Sequence, residues 1–151
     1  MTRSTLLLVG ALLGALVVGC RSESYVLAEG SKPGWVVLEF ENPKCPAMES
    51  GWLGRDFFLP ESGYLCTSSP IDGGYVYERY YLLRDNGRRE HLDIGKEIHG
   101  RSGLNLTLEG CRLTATVFRY DGADGAWDSG EFIREHHPEC RGTIAWPSEA
   151  K

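Results

Sequence analysis

Two neighbouring histidines near the end of the chain, His136 and His137, are the side chains best suited to bind a transition metal. They lie between Glu135 and Glu139, so imidazole and carboxylate ligands for zinc are close in sequence. In an extended strand, adjacent side chains point to opposite faces, and both imidazoles could not easily reach one ion. Pro138 favours a loop at this position. We therefore expect surface or loop histidines and no metal.

Acidic residues in a glycine-rich segment could supply the oxygen ligands that calcium prefers. This segment, from Asp121 to Glu131, contains Asp121, Asp124, Asp128 and Glu131. Their spacing differs from that of an EF-hand loop, which needs ligands at positions 1, 3 and 5 and a glutamate at position 12. We predict a solvated hairpin loop. The alternative function is a metal-binding or hydrolytic protein that uses this loop with His136 and His137.

The N-terminal residues have the composition of an export signal. Met1–Thr5 carries one positive charge, and Leu6–Val18 is an uncharged run of thirteen residues, shorter than the ~20 residues that span a membrane. Small residues then lead directly into a cysteine. The stretch Leu16-Val17-Val18-Gly19-Cys20 resembles the lipobox of bacterial lipoproteins, with Val17 where leucine is commoner.

This resemblance implies that residues 1–19 are removed and that Cys20 becomes a lipidated N-terminal residue. Its sulfur would carry a diacylglycerol and its amine an acyl group such as palmitate, and several such chains anchor a protein stably. Arg21 follows, not the aspartate that retains many lipoproteins at the inner membrane, so the resemblance favours the outer membrane in a Gram-negative cell. The covalent lipid is the only cofactor that we expect. Residues 20–24 are predicted to form a short tether.

With Cys20 assigned to lipid, four cysteines remain, and an even number in an exported protein indicates two disulfides. Three connectivities are open. We favour Cys45–Cys66 and Cys111–Cys140, because each pair lies within one half of the chain, and each bridge would stabilise the fold by about 3 kcal/mol. A zinc site is disfavoured because no C-x-x-C spacing occurs.

Nucleophilic catalysis has little support in the sequence. There is no G-x-S-x-G turn, and the hydroxyls of Thr67, Ser68 and Ser69 lie in a turn-rich stretch where they usually bond the local backbone. Disulfide formation would remove thiolate chemistry. These observations disfavour an enzyme.

A row of aromatic residues is the remaining candidate for binding. Tyr75, Tyr77 and Tyr81 are predicted to share one face of a strand with Arg79. Tyrosine and arginine on an exposed sheet could bind a glycan or a protein partner. Such rows more often pack across strands or against a second sheet.

Composition places the chain among single-domain proteins. Removal of residues 1–19, with Arg3 as their one charge, leaves 132 residues and a net charge of −6. No basic stripe for nucleic acid occurs. We therefore expect one β-rich domain, residues 25–151, and no nucleic-acid partner.

Alternating apolar residues and turn signals recur throughout this domain. Gly34–Glu41 alternates as a half-buried strand, and Asn86-Gly87 predicts a hairpin turn. Gly95–Gly103 is predicted to be irregular and Glu131–Arg134 extended, and no segment sustains a helical period. Eight or nine short strands indicate an all-β fold: a small antiparallel β-sandwich or partly open barrel, stabilised by disulfides.

Four stretches within residues 25–95 resemble an uncharacterised family of exported bacterial β domains. They are Pro33-Gly34-Trp35-Val36-Val37, Glu41-Asn42-Pro43, Pro60-Glu61-Ser62-Gly63 and Thr67-Ser68-Ser69-Pro70. No activity is implied by this resemblance. The sequence as a whole therefore favours a lipid-anchored protein of the cell envelope that acts as a binding or structural module. Its expected partners are the membrane, through the anchor, and an envelope protein or glycan.

Overall fold

The computed structural model describes residues 21–49, 51, 54–71, 76–121 and 127–140, and these ranges contain eight strands and one helix. None of the helical structure in these ranges is long and apolar enough to cross a membrane. The elements are β1 (Arg21–Ala28), β2 (Gly34–Phe40), β3 (Gly54–Leu59), β4 (Tyr64–Cys66), β5 (Val76–Leu83), β6 (Arg89–Leu92), β7 (Ile98–Leu108), β8 (Cys111–Tyr120) and α1 (Ser129–His136).

The strands form two four-stranded sheets that pack face to face and do not close into a barrel. Sheet A has the order β3-β1-β5-β6, and sheet B has the order β4-β2-β8-β7. The predicted sandwich is confirmed, but its all-antiparallel pairing is wrong, since β1 runs parallel to β3 and β5, and β2 runs parallel to β4. The reason is that the first five strands alternate between the sheets, so each return to a sheet has the same direction.

Aromatic side chains fill the space between the sheets. Tyr25, on the central strand β1, stacks on Tyr80 of β5 with ring centroids 5.0 Å apart. Phe118 of sheet B meets Tyr25 edge-on at 5.5 Å. All three residues are fully buried, and each side chain of this kind contributes roughly 2 kcal/mol through burial. This core holds the sheets together and leaves their outer faces to other partners.

β1 begins at Arg21, whereas the sequence predicts a strand only from Tyr25. Residues 21–24 pair with β3 and β5, so the predicted tether at these positions is wrong. The polar residues of this stretch misled the prediction because one of them is buried: Glu23 accepts a hydrogen bond from Arg55 at 2.9 Å, and both side chains are about 5% exposed. Among the described residues, the sandwich therefore starts at Arg21.

Sequence predicts the β5–β6 hairpin better than the β7–β8 hairpin. The turn between β5 and β6 contains Gly87 at φ 77°, and the Asn86-Gly87 signal is confirmed.

β7 begins at Ile98, so most of the segment predicted to be irregular is a strand. A bulge at Gly100, φ 59°, reverses the alternation of side chains. As a result Ile98 faces the space between the sheets, whereas Leu104 faces the other side of sheet B.

Residues 131–134, predicted to be extended, belong to α1. Asp128 caps this helix, since its Oδ1 accepts the backbone N–H of Glu131 at 2.9 Å. Phe132 and Ile133 then pack on the outer face of sheet B. A helix of two turns is too short to show a period, but the Asp-x-x-Glu spacing of Asp128 and Glu131 resembles the cap signature and could have predicted its start.

Candidate functional site

The outer face of sheet A carries the row of residues that the sequence singled out. Tyr77 and Arg79 are exposed on β5 and Tyr81 is half-buried, while Tyr80 between them points into the core. Tyr75 lies outside the described residues. Side chains from β3 and β6 complete the surface, which we call the sheet A face: Phe58, Tyr77, Arg79, Tyr81, Arg89 and His91.

One row of the sheet A face crosses all four strands. Val26 of β1 pairs with Phe58 on one side and with Tyr81 on the other, and Tyr81 in turn pairs with His91. Val26 is buried, whereas Phe58 is 52% exposed. The rings of Tyr81 and His91 meet edge-on at 5.7 Å. The larger side chains thus shield the small one and themselves remain open to solvent.

Two arginines give the sheet A face its charge. The guanidinium of Arg89 lies 5.4 Å from the ring centroid of Phe58 and 5.9 Å from that of Tyr81, and it donates a hydrogen bond to Asp56 at 2.8 Å. This hydrogen bond holds the pKa of the Asp56 carboxyl below its usual value. Arg79 lies 5.2 Å from the ring centroid of Tyr77 and, among the described residues, has no acidic partner. One cation of the face is therefore available to an incoming carboxylate or phosphate.

A cleft of about 490 Å³ opens beside the edge strand β3. Phe58 and Asp56 of β3, Ser22 of β1 and Met48 of the preceding loop contribute to its walls. The sheet A face therefore continues into a concave edge.

The outer face of sheet B is, by contrast, covered. Phe132 and Ile133 of α1 pack with Val37, Ala115 and Val117, and all five side chains are buried. The disulfide between Cys111 and Cys140 ties the residues after α1 to the start of β8. Cys45–Cys66 is the second bridge, and both predicted pairings are confirmed.

A polar cluster holds the end of α1 to sheet B. Glu39 of β2, with a side chain 2% exposed, is its centre. Its carboxylate accepts hydrogen bonds from Tyr64 Oη at 2.6 Å and Asn42 Nδ2 at 3.0 Å, and His137 Nε2 lies 3.0 Å from it. A carboxylate only accepts, so Nε2 is the donor. We call these four residues the Glu39 cluster. Burial, followed by the hydrogen bond to Glu39, raises the pKa of Tyr64 far above its usual value.

The structure places the two candidate histidines in different surroundings from those predicted. His136 is the last residue of α1 and packs against Tyr64, with ring centroids 4.2 Å apart. His137 is the C-cap and is buried in the Glu39 cluster, so the prediction of surface or loop histidines is wrong for it. The cause is the helix, because it turns this segment back onto sheet B.

The acidic segment forms no metal site among the described residues. Asp128 and Glu131 are joined by the helix cap, Asp121 directly follows β8, and Asp124 lies outside the described residues. Over the described ranges, no group of three or more histidine, cysteine, aspartate or glutamate side chains is placed to hold an ion. The predicted hairpin loop is wrong for residues 129–131, which are helical.

Sequence reasoning missed the buried ionic groups of the interior. Tyr25 donates to Glu23 at 3.1 Å, Tyr80 donates to Glu78 at 3.1 Å, and Glu78 is paired with Arg101. Burial, with Glu23 next, raises the pKa of Tyr25 far above its usual value. Each tyrosine bonds a glutamate two residues earlier on its own strand, but the arginines that pair with these glutamates, Arg55 of β3 and Arg101 of β7, come from other strands, so no spacing marks the groups in the sequence.

Comparisons with known proteins show the fold and no family. No family model matches the chain, and no curated protein matches it. A crystal structure described as that of a "Putative Lipoprotein from Bacillus anthracis" aligns with a TM-score of 0.63 at 14% identity. The alignment covers 80% of this chain and 94% of that one. The two proteins share a fold.

Proposed function

We propose that this protein is a lipid-anchored binding module of the bacterial cell envelope, with the sheet A face as its contact surface. The lipobox-like stretch that ends at Cys20 supports the anchor. Two disulfides fit an exported protein, because such bridges persist in oxidising compartments. The shared fold with a protein described as a lipoprotein is consistent with this location.

The contrast between the two outer faces is the observation that carries the binding role. The outer face of sheet B has its own cover, α1, whereas among the described residues no element covers the outer face of sheet A. Phe58 and Tyr77 are 52% and 65% exposed there. Exposed aromatic side chains next to arginines are the residues that contribute most to protein interfaces.

The partner is a protein that offers apolar side chains. Phe58 and Tyr81 supply the apolar contact, and the guanidinium of Arg89 lies over both rings. Four strands spaced ~4.8 Å apart, over about eight residues, give a face of roughly 500 Å². Stable interfaces bury about 800 Å² per partner, so a complex that uses this face alone would be a transient one.

The anchor is tested with Cys20→Ser. In wild type we expect the mature N-terminus to start at a lipid-modified Cys20, by mass spectrometry, and the protein to fractionate with membranes. In Cys20→Ser the lipid mass should disappear and the protein should become soluble. An unmodified wild-type N-terminus in the soluble fraction would contradict the anchor.

The binding face is tested by chemical cross-linking in intact cells followed by identification of the partners. We expect Phe58→Ala with Tyr81→Ala to lose a partner that wild type retains. Ile94→Ala is the matched control, because Ile94 is 71% exposed and lies outside the sheet A face. An unchanged partner list in the double variant would reject this surface, and recovery of glycan fragments in place of a protein would reject the class of partner.

A further inference from the structure

Three strands of sheet A start at the same end of the sandwich. β1 is parallel to β3 and β5, with Arg21 opposite Val76, and Ser22 opposite both Gly54 and Tyr77. At the opposite end, Ala28 is opposite Leu83, and the turn between β5 and β6 follows. Sheet A therefore has one end next to residue 20 and another end about 26 Å away.

The lipidated residue would have almost no freedom relative to this end. Cys20 is bonded to Arg21, the first residue of β1, so their Cα atoms are ~3.8 Å apart. Ser22 and its neighbour Tyr77 then lie at most about 7 Å above Cys20, and Arg79, opposite Ser24, at most about 13 Å above it. Each headgroup layer is about 5–7 Å thick. The ring of Tyr77 would consequently lie at the outer edge of the headgroups.

The side chains at this level suit a phospholipid surface. Tyrosine is enriched at membrane interfaces, because its ring is apolar and its hydroxyl is polar. The guanidinium of Arg79 lies 5.2 Å from the centroid of the Tyr77 ring, so it lies close to the level of that ring although its backbone is higher, and it matches phosphate geometry. Tyr77 is 65% exposed, which leaves it open to such a contact. The net charge of the domain disfavours general attraction to anionic lipid, so the contact is local.

We propose that the protein stands on the bilayer at this end, with Tyr77 and Arg79 on the lipid phosphates. This inference rests on the proposed lipid at Cys20. It divides the sheet A face into two levels. Tyr77 and Arg79 contact the membrane, whereas Phe58, Tyr81 and His91, level with Val26, rise to about 20 Å above Cys20 and serve the partner.

The orientation is tested with three single-cysteine variants of the full lipidated protein: Glu49→Cys, His91→Cys and Asn86→Cys. Glu49 is exposed and lines the cleft beside Ser22, so it reports on the end next to residue 20 without removing a proposed contact. Each new thiol is labelled with a fluorophore without reductant, so that both disulfides remain. The proteins are reconstituted into phosphatidylcholine vesicles that carry a quencher on the headgroup. We expect quenching to decrease from 49 to 91 to 86, with about threefold more quenching at 49 than at 86 because their heights differ by roughly 20 Å.

The contacts are tested in the same vesicles with the label at position 91. Tyr77→Ala with Arg79→Ala should free the domain to tilt and raise quenching at 91 by about twofold, whereas Ile94→Ala should leave it unchanged. Equal or inverted quenching along the three positions in a vesicle-bound protein would overturn the orientation. A gradient that the double variant does not change would overturn the role of Tyr77 and Arg79.

The two proposals fail in different ways. If wild type does not associate with vesicles and carries no lipid, the anchor is wrong, and with it this orientation. If wild type is lipidated and vesicle-bound but shows no gradient, the anchor stands and the orientation alone is wrong.

Discussion

The two sheets of this sandwich bury the apolar side chains of their outer faces in different ways. The apolar side chains of sheet B, including Val37 and Val117, are buried beneath Phe132 and Ile133 of α1. On sheet A, Val26 is equally buried, but its neighbours are long side chains of the same sheet, with Arg89 lying over two aromatic rings. One face is covered by a separate element, and the other only by its own surface residues.

As a result, the outer face of sheet B contributes to the stability of the fold, whereas the outer face of sheet A is left exposed. The cover of sheet B is held by the cap at Asp128, by the Glu39 cluster and by the bridge from Cys140 to Cys111. The contacts on sheet A are cation–π and exposed ion-pair contacts, each worth about 1 kcal/mol or less. Sheet B therefore contributes a second packed layer, whereas sheet A offers an aromatic surface whose loss should hardly affect folding.

The largest expected effect comes from removing a ring from each face. Phe132→Ala should lower the free energy of unfolding by about 3 kcal/mol, because this buried ring packs on Tyr64 and Trp127. Phe58→Ala should lower it by less than ~1 kcal/mol, since that ring is half exposed. Urea unfolding with the disulfides intact measures both values. If both variants lost the same free energy of unfolding, α1 would stabilise sheet B no more than Arg89 stabilises sheet A.

A smaller effect is expected from the charge that fastens α1. Glu39→Gln keeps the shape of the side chain but presents an NH₂ group to donors on one side, so we expect a loss of about 2 kcal/mol. Glu109→Gln is the matched control, because Glu109 is exposed in the turn between β7 and β8. If both variants unfold at the same urea concentration, the Glu39 cluster does not hold the helix in place.

Sequence patterns correctly predicted those features of the fold that depend on residues close together in the chain. Alternation identified the strands, Asn86-Gly87 identified a hairpin, and the placement of cysteines in the two halves identified both bridges. Partners far apart in sequence could not be found in this way. Gly34–Glu41 was predicted as a half-buried strand, whereas Glu39 on its outer face is buried, because its cover comes from His137, almost a hundred residues later. Strand direction was also missed, since a two-residue period does not say which strands pair.

The sheet A face has the smallest predicted effect, and the effect depends on pH. The hydrogen bond from Arg89 lowers the pKa of Asp56 below its unfolded value of about 3.9. A lowered folded pKa contributes stability above the unfolded pKa, and this contribution disappears as the pH falls through the folded pKa. Asp56→Asn should thus lower stability at pH 7 by less than ~1 kcal/mol, because the Asp56 side chain is 41% exposed and solvent screens the pair.

At pH values below the folded pKa of Asp56, Asp56→Asn and wild type should converge, because Asp56 is then mostly protonated in both states. Other carboxyls with lowered pKa values, such as Glu139 and Glu97, titrate in the same range, so the difference between the two proteins is the quantity to measure. Thermal unfolding from pH 2 to pH 7 provides it. A difference in the free energy of unfolding that persists at pH 2 would reflect packing at the site. A difference above ~2 kcal/mol at pH 7 would show that the ion pair over Phe58 stabilises sheet A as much as the Glu39 cluster stabilises sheet B.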